Sequence, residues 1–217
     1  MLTLYHCANA RSFRPLWALE ELQLPYNLKM LPFPPRFLKR EYLELNPLGT
    51  IPLMIDNGTK MTESAAICQY LASRYGPSPL SVSVEEADYG HYLNWLHFGE
   101  ATLTFPQTIF LRYSRLEPSE RRIPQAAADY ARWFLARLRG IDIAVAQSEH
   151  LCASRFTVAD ISVGYALMLA ESLDLHEQFS PAVRAYWKRL QQRDGFCRAI
   201  AAQDRAGADQ NVEATPV

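Results

Sequence analysis

The 217-residue sequence has no long apolar run and almost no excess of charge. A membrane-spanning helix needs roughly 18 or more consecutive apolar residues, and because no stretch approaches that length we predict no membrane partner. The formal net charge of −1 comes from 22 basic and 23 acidic side chains. This balance gives no electrostatic reason to expect a nucleic acid as partner. The amino terminus shows no basic stretch before an apolar segment, so we expect no secretory signal.

Cysteine is scarce as well, and its spacing excludes common cysteine motifs. The four cysteines show neither CxxC pairing nor metal-ligand spacing, and they are Cys7, Cys68, Cys152 and Cys197. We therefore predict no metal site. Four scattered thiols without a secretory signal favour a reducing, cytoplasmic location.

The first third of the chain alternates strand and helix signals. Short apolar runs predict strands, apolar residues at three-to-four spacing predict helices, and an Asp-Asn-Gly sequence predicts a hairpin turn. The order βαβ followed by ββα predicts a small mixed sheet covered by helices. The predicted elements are strand 2–6, helix 11–22, strand 26–31, helix 36–45, hairpin strands 51–55 and 60–62, and helix 63–75.

Beyond residue 76 the pattern is helical throughout. The sequence Gly-Pro-Ser-Pro at 76–79 combines helix breakers with polar residues and predicts a domain boundary. Pro106 is expected to bend or interrupt a helix, and the final segment lacks periodicity, so we expect it to be loose. The predicted organisation is a first domain at 1–76, a linker at 77–84, an all-helical domain at 85–203 and a loose tail at 204–217.

One motif in the second half concerns folding. Thr157 and Asp160 have the spacing of a capping box, in which each side chain satisfies a main-chain amide at a helix start. We predict that a helix begins there and assign neither residue to a binding site.

Four segments together resemble the cytosolic glutathione transferases. Residues 46–52 read NPLGTIP and residues 62–67 read TESAAI, which is similar to the glutathione-site signature of that family. Residues 4–22 are similar to the first strand and helix of bacterial and fungal members, theta-like and beta-like relatives among them. Residues 156–161, FTVADI, resemble the helix-start motif of the family's helical domain. The resemblance covers about residues 1–200 in the expected order.

The resemblance implies a fold, an activity and partners. The fold is an α/β thioredoxin-like domain (βαβ-ββα) followed by an all-α helical bundle domain. The activity is that of a glutathione transferase, with glutathione as co-substrate and an apolar electrophile as acceptor, and with peroxidase or thiol-transfer activity as variants. The chain is expected to form a homodimer. The alternative is a non-catalytic regulatory or stress protein that binds glutathione on the same fold, because fold alone does not determine function.

The resemblance also implies how glutathione is held. Pro52 is expected to follow a cis peptide bond, with the main chain of Ile51 pairing with the cysteinyl part of glutathione. Glu63 and Ser64, at a helix start, are expected to hold the γ-glutamyl end, and Lys39 the glycyl carboxylate. The residues implied for glutathione are Lys39, Thr50, Ile51, Pro52, Glu63 and Ser64.

The residue that activates the glutathione thiol is left open by the sequence. A free thiol ionises near pKa 8.5, so a thiolate at neutral pH needs a hydrogen-bond donor or positive potential close to the sulfur. Cys7 stands where theta-like and delta-like relatives carry a serine, while Ser12 and Asn9 are the other candidate donors. The cysteine of beta-like relatives would align with Arg11, so that thiol is missing. Cys7 could donate a hydrogen bond, form a mixed disulfide with glutathione, or be a packing residue.

An acceptor site is expected on the helical domain, where aromatic residues are concentrated. Ligand pockets are mostly apolar, although core packing between helices explains many such side chains equally well. The residues predicted to contact the acceptor are Phe98, Phe105 and Tyr113.

Overall fold

The computed structural model describes residues 1–213. Two compact units are found. The first consists of Met1–Ser78 together with the described residues from Gln192 onward, and the second consists of Pro79–Gln191. The first unit therefore takes in a carboxyl-terminal segment that we predicted to lie in the helical domain.

The first unit contains a four-stranded mixed sheet with the strand order β2-β1-β3-β4. Strand β1 runs parallel to β2 and antiparallel to β3, and β3 pairs with β4 in the predicted hairpin. This is the expected βαβ-ββα order. Its elements are β1 (Leu2–His6), α1 (Phe13–Glu21), β2 (Tyr26–Met30), α2 (Pro35–Leu38), a 3-10 turn (Arg40–Glu44), β3 (Leu53–Asp56), β4 (Thr59–Met61) and α3 (Ser64–Arg74).

Helix α9 (Asp194–Asp209) completes the first unit. Its Phe196 ring meets the rings of Phe13 and Trp17 on α1 edge-on, at centroid distances of 5.5 and 5.0 Å. Arg193 forms two hydrogen bonds to the Glu21 carboxylate, at 2.7 and 2.9 Å. The apolar face of α9 is thus buried against α1, which places the helix with the sheet.

The predicted loose tail from residue 204 is wrong for residues 204–209, which continue α9. The helix persists without strong periodicity because tertiary contacts hold its last turns. The Gln210 side chain accepts a hydrogen bond from the amide of Met30 and donates one to the carbonyl of Leu28, both at 2.9 Å. The last four residues of that predicted tail, 214–217, lie outside the described residues.

The second unit is built from helices, and its described residues 79–191 contain no strand. The regular α-helix is interrupted before Pro106, as predicted, by a π-helical stretch that ends at Thr104. Pro106 lies in the first turn of the α-helix that follows. The main elements are α4 (Tyr89–His97), a π-helical stretch (Phe98–Thr104), α5 (Phe105–Leu111), a second π-helical stretch (Arg112–Leu116), α6 (Pro124–Val145), α7 (Val158–Ser172) and α8 (Pro181–Gln191). No helix within residues 1–213 is both long and apolar enough to span a membrane.

The predicted capping box is confirmed at the start of α7. The Thr157 hydroxyl accepts from the amide of Ala159 at 3.2 Å, and the Asp160 carboxylate accepts from the amide of Thr157 at 2.9 Å. The Tyr186 hydroxyl on α8 also donates to Asp160, at 2.8 Å. Asp160 therefore joins two helices of the second unit in addition to capping one.

Candidate functional site

The turn before β3 is closed by side chains from its own neighbourhood. Asn46 accepts a hydrogen bond from the amide of Leu48 at 3.2 Å and donates one to the carbonyl of Thr50 at 2.8 Å. The Tyr42 hydroxyl donates to the same carbonyl at 2.8 Å. The Ile51–Pro52 peptide bond is cis, as the resemblance implies. Thr50 thus has its carbonyl occupied by two donors, while its side chain is exposed.

Gly49 is required in this turn for two independent reasons. Its φ of +58° lies in the left-handed region, which side chains disfavour. A Cβ atom there would lie 2.5 Å from Cβ of Arg36 and 2.9 Å from a methyl group of Leu43. The turn therefore packs directly against the segment that carries α2.

Ile51 presents main-chain groups outside the sheet. Strand β3 begins only at Leu53, so the amide and carbonyl of Ile51 do not belong to the β-ladder. Its half-buried side chain packs on a buried cluster formed by Cys7, Leu31, Tyr42 and Leu53. The side chain is thus anchored while the main chain remains outside the ladder, as strand-like pairing with a peptide ligand requires.

The start of α3 brings a helix amino terminus and a buried guanidinium together. Ser64 is the first residue of the helix and is buried, and its Oγ accepts a hydrogen bond from Nη1 of the buried Arg14 at 3.1 Å. Because Oγ accepts that bond, the hydroxyl proton can be donated to a ligand. The helix dipole and the guanidinium both favour an anion here. Glu63 precedes the helix, is exposed and carries the opposite charge.

Lys39 lies between α2 and the 3-10 turn. Its Nζ forms an exposed ion pair with Glu41 at 2.7 Å, which lowers the pKa of that carboxyl. Such surface pairs are weak because water screens them, so a ligand carboxylate can compete for the ammonium group. Arg36 and Arg40 are equally exposed, and the geometry does not select among the three.

Cys7 is buried in the cluster that supports Ile51. The residue is 1% exposed, and its Sγ donates a 3.7 Å hydrogen bond to the carbonyl of Pro32. Burial raises the pKa of the Cys7 thiol to about 12. A reactive cysteine needs a low pKa and access to solvent, and Cys7 has neither, so its surroundings favour a packing role.

A buried polar network connects the end of β1 to helix α9. The Asn9 amide donates to Oε1 of Gln203 at 3.2 Å, which identifies Oε1 as the acceptor end of that side chain. Nε2 of His6, 3.1 Å from the same oxygen, must therefore carry a proton. Burial lowers the pKa of His6 to about 4, so its ring is neutral and Nδ1 is an acceptor. Ser12 Oγ, 2.7 Å from Nδ1, donates its proton there.

This polarity decides the role of Ser12. Its hydroxyl proton has two acceptors within the loop, Nδ1 of His6 at 2.7 Å and the carbonyl of Cys7 at 3.4 Å, and its Oγ accepts from the amide of Cys7 at 3.3 Å. The side chain is completely buried. Ser12 therefore stabilises the loop and is not placed to donate to a glutathione sulfur.

Asn9 is the exposed member of the three predicted thiol-activating candidates. It is the third residue of a turn closed by a hydrogen bond from the amide of Ala10 to the carbonyl of Cys7 at 3.2 Å, and its φ is +58°. Asparagine tolerates this conformation well. Ala10, the next residue, packs on the same buried cluster as Ile51. The Asn9 side chain contacts Gln203 of α9, whose Nε2 donates to its Oδ1 at 2.8 Å.

The predicted acceptor residues lie in the second unit. Phe98 is half-buried, packs edge-on against Trp95 and faces Gly140 of α6. Phe105 is 50% exposed and contacts Tyr130 of α6. Tyr113 is half-buried beneath the guanidinium of Arg112. Two of the three thus pack on α6, and an acceptor role for any of them stays a prediction.

Sequence reasoning missed the residues that support the site. Arg14 appears in the sequence as a charged residue in the otherwise apolar first two turns of α1, a pattern that could have suggested a buried partner. Gln203 gives no such signal, because it contacts His6 and Asn9 across more than 190 residues of chain. Across residues 1–213, no cluster of three or more histidine, cysteine, aspartate or glutamate residues could hold a metal ion.

Comparison with known proteins agrees with this geometry. Residues 10–74 match the family model described as glutathione S-transferase, N-terminal domain. Glutathione S-transferase 3 of Schizosaccharomyces pombe is 30% identical, with 93% of this chain and 87% of the relative covered. The crystal structure of the glutathione transferase URE2P6 from Phanerochaete chrysosporium in complex with oxidized glutathione is 27% identical, with a TM-score of 0.82 and 94% and 97% of the two chains covered. The URE2P8 structure from the same organism, 22% identical, covers 98% of this chain and 97% of its own at a TM-score of 0.82 and shows the shared fold.

Proposed function

The chain belongs to the glutathione S-transferase family, and we propose that it binds glutathione on the first unit and joins it through its sulfur to an apolar electrophile. The observation that carries this proposal is the amino terminus of α3, where Ser64 is oriented by the buried Arg14. A hydroxyl donor, helix amides and a guanidinium together favour the γ-glutamyl carboxylate. Glu63, the next residue toward the amino terminus, would accept from the ligand's ammonium group.

The rest of glutathione fits the neighbouring elements. The main chain of Ile51 is proposed to pair with the cysteinyl unit, because it lies outside the sheet ladder. Lys39 is proposed to bind the glycyl carboxylate, which would replace Glu41 as the ion-pair partner of its ammonium group. The Thr50 carbonyl is already bonded to Tyr42 and Asn46, so Thr50 would shape the turn rather than contact the ligand through that oxygen.

For the chemical step, Asn9 is the proposed donor to sulfur. An amide hydrogen and the positive end of α1 favour the thiolate over the thiol. The sulfur then attacks an electrophilic carbon, so that a carbon–sulfur bond forms and the leaving group departs with its electron pair. A hydroperoxide can be attacked at oxygen: a sulfur–oxygen bond forms, the oxygen–oxygen bond breaks and the alcohol departs, and a second glutathione then displaces water from the sulfenic acid to give the disulfide. Thiol transfer through Cys7 is disfavoured, because its thiol is buried and its pKa is raised to about 12.

The test of glutathione binding uses titration calorimetry on the wild type, Ser64→Ala and the control Ser73→Ala, an exposed serine on the same helix. A hydrogen bond to a charged group contributes about 1.5–3 kcal/mol, so we expect Ser64→Ala to raise the Kd at least about tenfold while Ser73→Ala leaves it unchanged. Absence of any binding by the wild type would overturn the proposal.

A second candidate function is a non-catalytic glutathione-binding protein. It is favoured by one observation: Cys7 and Ser12, two of the three candidate activating residues, are both buried. Conjugation of an aryl halide by the wild type separates the two functions. Turnover supports the transferase, whereas binding without turnover supports the regulatory alternative.

We also propose that the protein is a homodimer, because members of the family form dimers, and that it is cytoplasmic, because its cysteines are few and scattered. Sedimentation at micromolar concentration tests the assembly, with a species of twice the 24.7 kDa chain mass expected. A single species at the chain mass would contradict it.

A further inference from the structure

We infer that Gln210 closes an edge of the sheet that would otherwise pair with the same strand of a second copy of this chain. Gln210 is the residue at which α9 ends, and it takes no part in the glutathione site proposed above. The inference concerns self-association through the sheet of the first unit, so it does not depend on the proposed function.

Strand β2 lies at the edge of the sheet. It is the first strand in the order β2-β1-β3-β4, and within residues 1–213 its strand partner is β1 alone. Successive residues of a strand direct their main-chain N–H and C=O groups to opposite sides. The amide of Leu31, directly after β2, donates to the carbonyl of His6 on β1 at 2.8 Å. By this alternation, the main-chain groups of Leu28 and Met30 are directed away from β1.

A single side chain binds this outer edge. Oε1 of Gln210 accepts from the amide of Met30, and Nε2 of Gln210 donates to the carbonyl of Leu28, both at 2.9 Å. A neighbouring strand would use the same N–H and C=O groups. The Gln210 carboxamide therefore takes the place of one peptide group of such a strand. An edge without this protection is a template for pairing with another chain.

A Schellman motif fixes the main chain of Gln210. The amide of Asn211 donates to the carbonyl of Ala208 at 3.2 Å, and the amide of Val212 donates to the carbonyl of Gly207 at 2.9 Å. Asn211 has a φ of +52°, the left-handed conformation that ends many helices and that asparagine tolerates. The side chain of Gln210 thus leaves the end of α9 from a defined position beside β2.

A second copy of β2 fits the edge in an antiparallel, two-fold arrangement. With Leu28 on the two-fold axis, Leu28 of one copy bonds Leu28 of the other, and Met30 of each copy bonds Tyr26 of the other. Lys29, the one charged residue of β2, then lies opposite Asn27. No like charges face each other across this pair, so the charge pattern of the strand permits the pairing.

Sedimentation equilibrium compares the wild type with Gln210→Ala and with the matched control Gln192→Ala, which changes an exposed glutamine just before α9. Because Gln210→Ala removes the carboxamide from the edge, we expect its average mass to rise with concentration to at least twice the wild-type value. The control should keep the wild-type mass. The comparison is valid whether the wild type is a monomer or a dimer, because a dimer carries two such edges and would associate further. Equal masses for all three proteins at every concentration would overturn the inference.

Amide hydrogen exchange tests where the copies meet. In dilute Gln210→Ala the Met30 amide should exchange at least about tenfold faster than in the wild type, because its acceptor is lost. At high concentration, protection should return at Met30 and increase at Leu28. Association without protection at either amide would contradict pairing through β2.

Charge variants at Asn27 test the register in the Gln210→Ala background. Asn27→Lys places a second ammonium group opposite Lys29, whereas Asn27→Asp places a carboxylate there. The main-chain groups of Asn27 face β1, so neither change alters the bonds of the outer edge. We expect Asn27→Lys to weaken self-association and Asn27→Asp to strengthen it, each by about three- to tenfold in Kd. Association that neither change affects would also overturn the inference, since another surface would then cause it.

Discussion

The turn at 46–52 and the loop at 7–12 border the same candidate site but are held in opposite ways. The turn is closed by Asn46 and Tyr42, which lie four and eight residues from the carbonyl they bind. The loop is held by Gln203, which lies 194 residues from Asn9 and 197 from His6. The part of the site proposed to hold the glutathione backbone is therefore local, whereas the part proposed to face its sulfur depends on the end of the chain.

This difference has a physical basis. A short turn closes with little loss of chain entropy, so a few residues suffice to define it. The polarity of the loop depends on groups that meet only after α9 has packed on α1. We therefore expect damage to the turn to act locally and strongly, and damage to the loop to appear as changes in proton equilibria.

The largest effect is expected from Gly49→Ala. An alanine at this position would have a φ that side chains disfavour, and its Cβ would lie 2.5 Å from Cβ of Arg36. Together, strain and overpacking cost about 3–5 kcal/mol of unfolding free energy, measured by urea unfolding, and glutathione binding should be lost with the turn.

The matched control is Gly58→Ala. Gly58 has a φ of +88°, but no atom lies within 4 Å of an added Cβ, so only the conformational cost applies, of about 1–3 kcal/mol. Equal destabilisation by the two variants would show that the turn does not pack tightly against the α2 segment.

A smaller effect is expected from the titration of His6. Its pKa in the folded state is about 4, because burial opposes the charged ring, whereas in the unfolded state it is near 6.5. Between these two pKa values the ring is protonated in the unfolded state but neutral in the folded state. The free energy of unfolding therefore falls as pH decreases from about 6.5 to about 4. Between about pH 6.5 and pH 5 the loss should be about 1.5 kcal/mol in unfolding free energy.

The control for this prediction is His6→Asn, which has no titrating ring. It should have lower stability at neutral pH, because the bonds to Ser12 and Gln203 are disturbed, but a flatter dependence on pH in this range. The same slope in both proteins would mean that another group causes it.

The smallest effect is expected at Cys7. Because the thiol is buried and its pKa is about 12, Cys7→Ala should leave the conjugation rate per folded protein within about twofold. Mass spectrometry after incubation with oxidised glutathione should find no adduct on Cys7. A large loss of turnover with unchanged glutathione affinity would instead make Cys7 the group that activates sulfur.

The sequence by itself determined the elements whose causes are local. The βαβ-ββα order, the hairpin before α3, the turn at 46–52 and the capping box at Thr157 all follow from spacing and turn chemistry, and the structure contains each of them. Hydrophobic periodicity and short-range hydrogen bonds act within a few residues, so a single sequence records them directly.

Only the tertiary structure decided which candidates reach the surface and what the last helix does. Cys7, Asn9 and Ser12 are equivalent in a pattern analysis, yet burial excludes two of them and leaves Asn9 exposed. Helix α9 was assigned to the wrong unit, because the apolar face of a helix shows that it is buried but not which element it packs against. Packing between distant segments decides how buried donors and acceptors pair. No single stretch of the sequence contains that information.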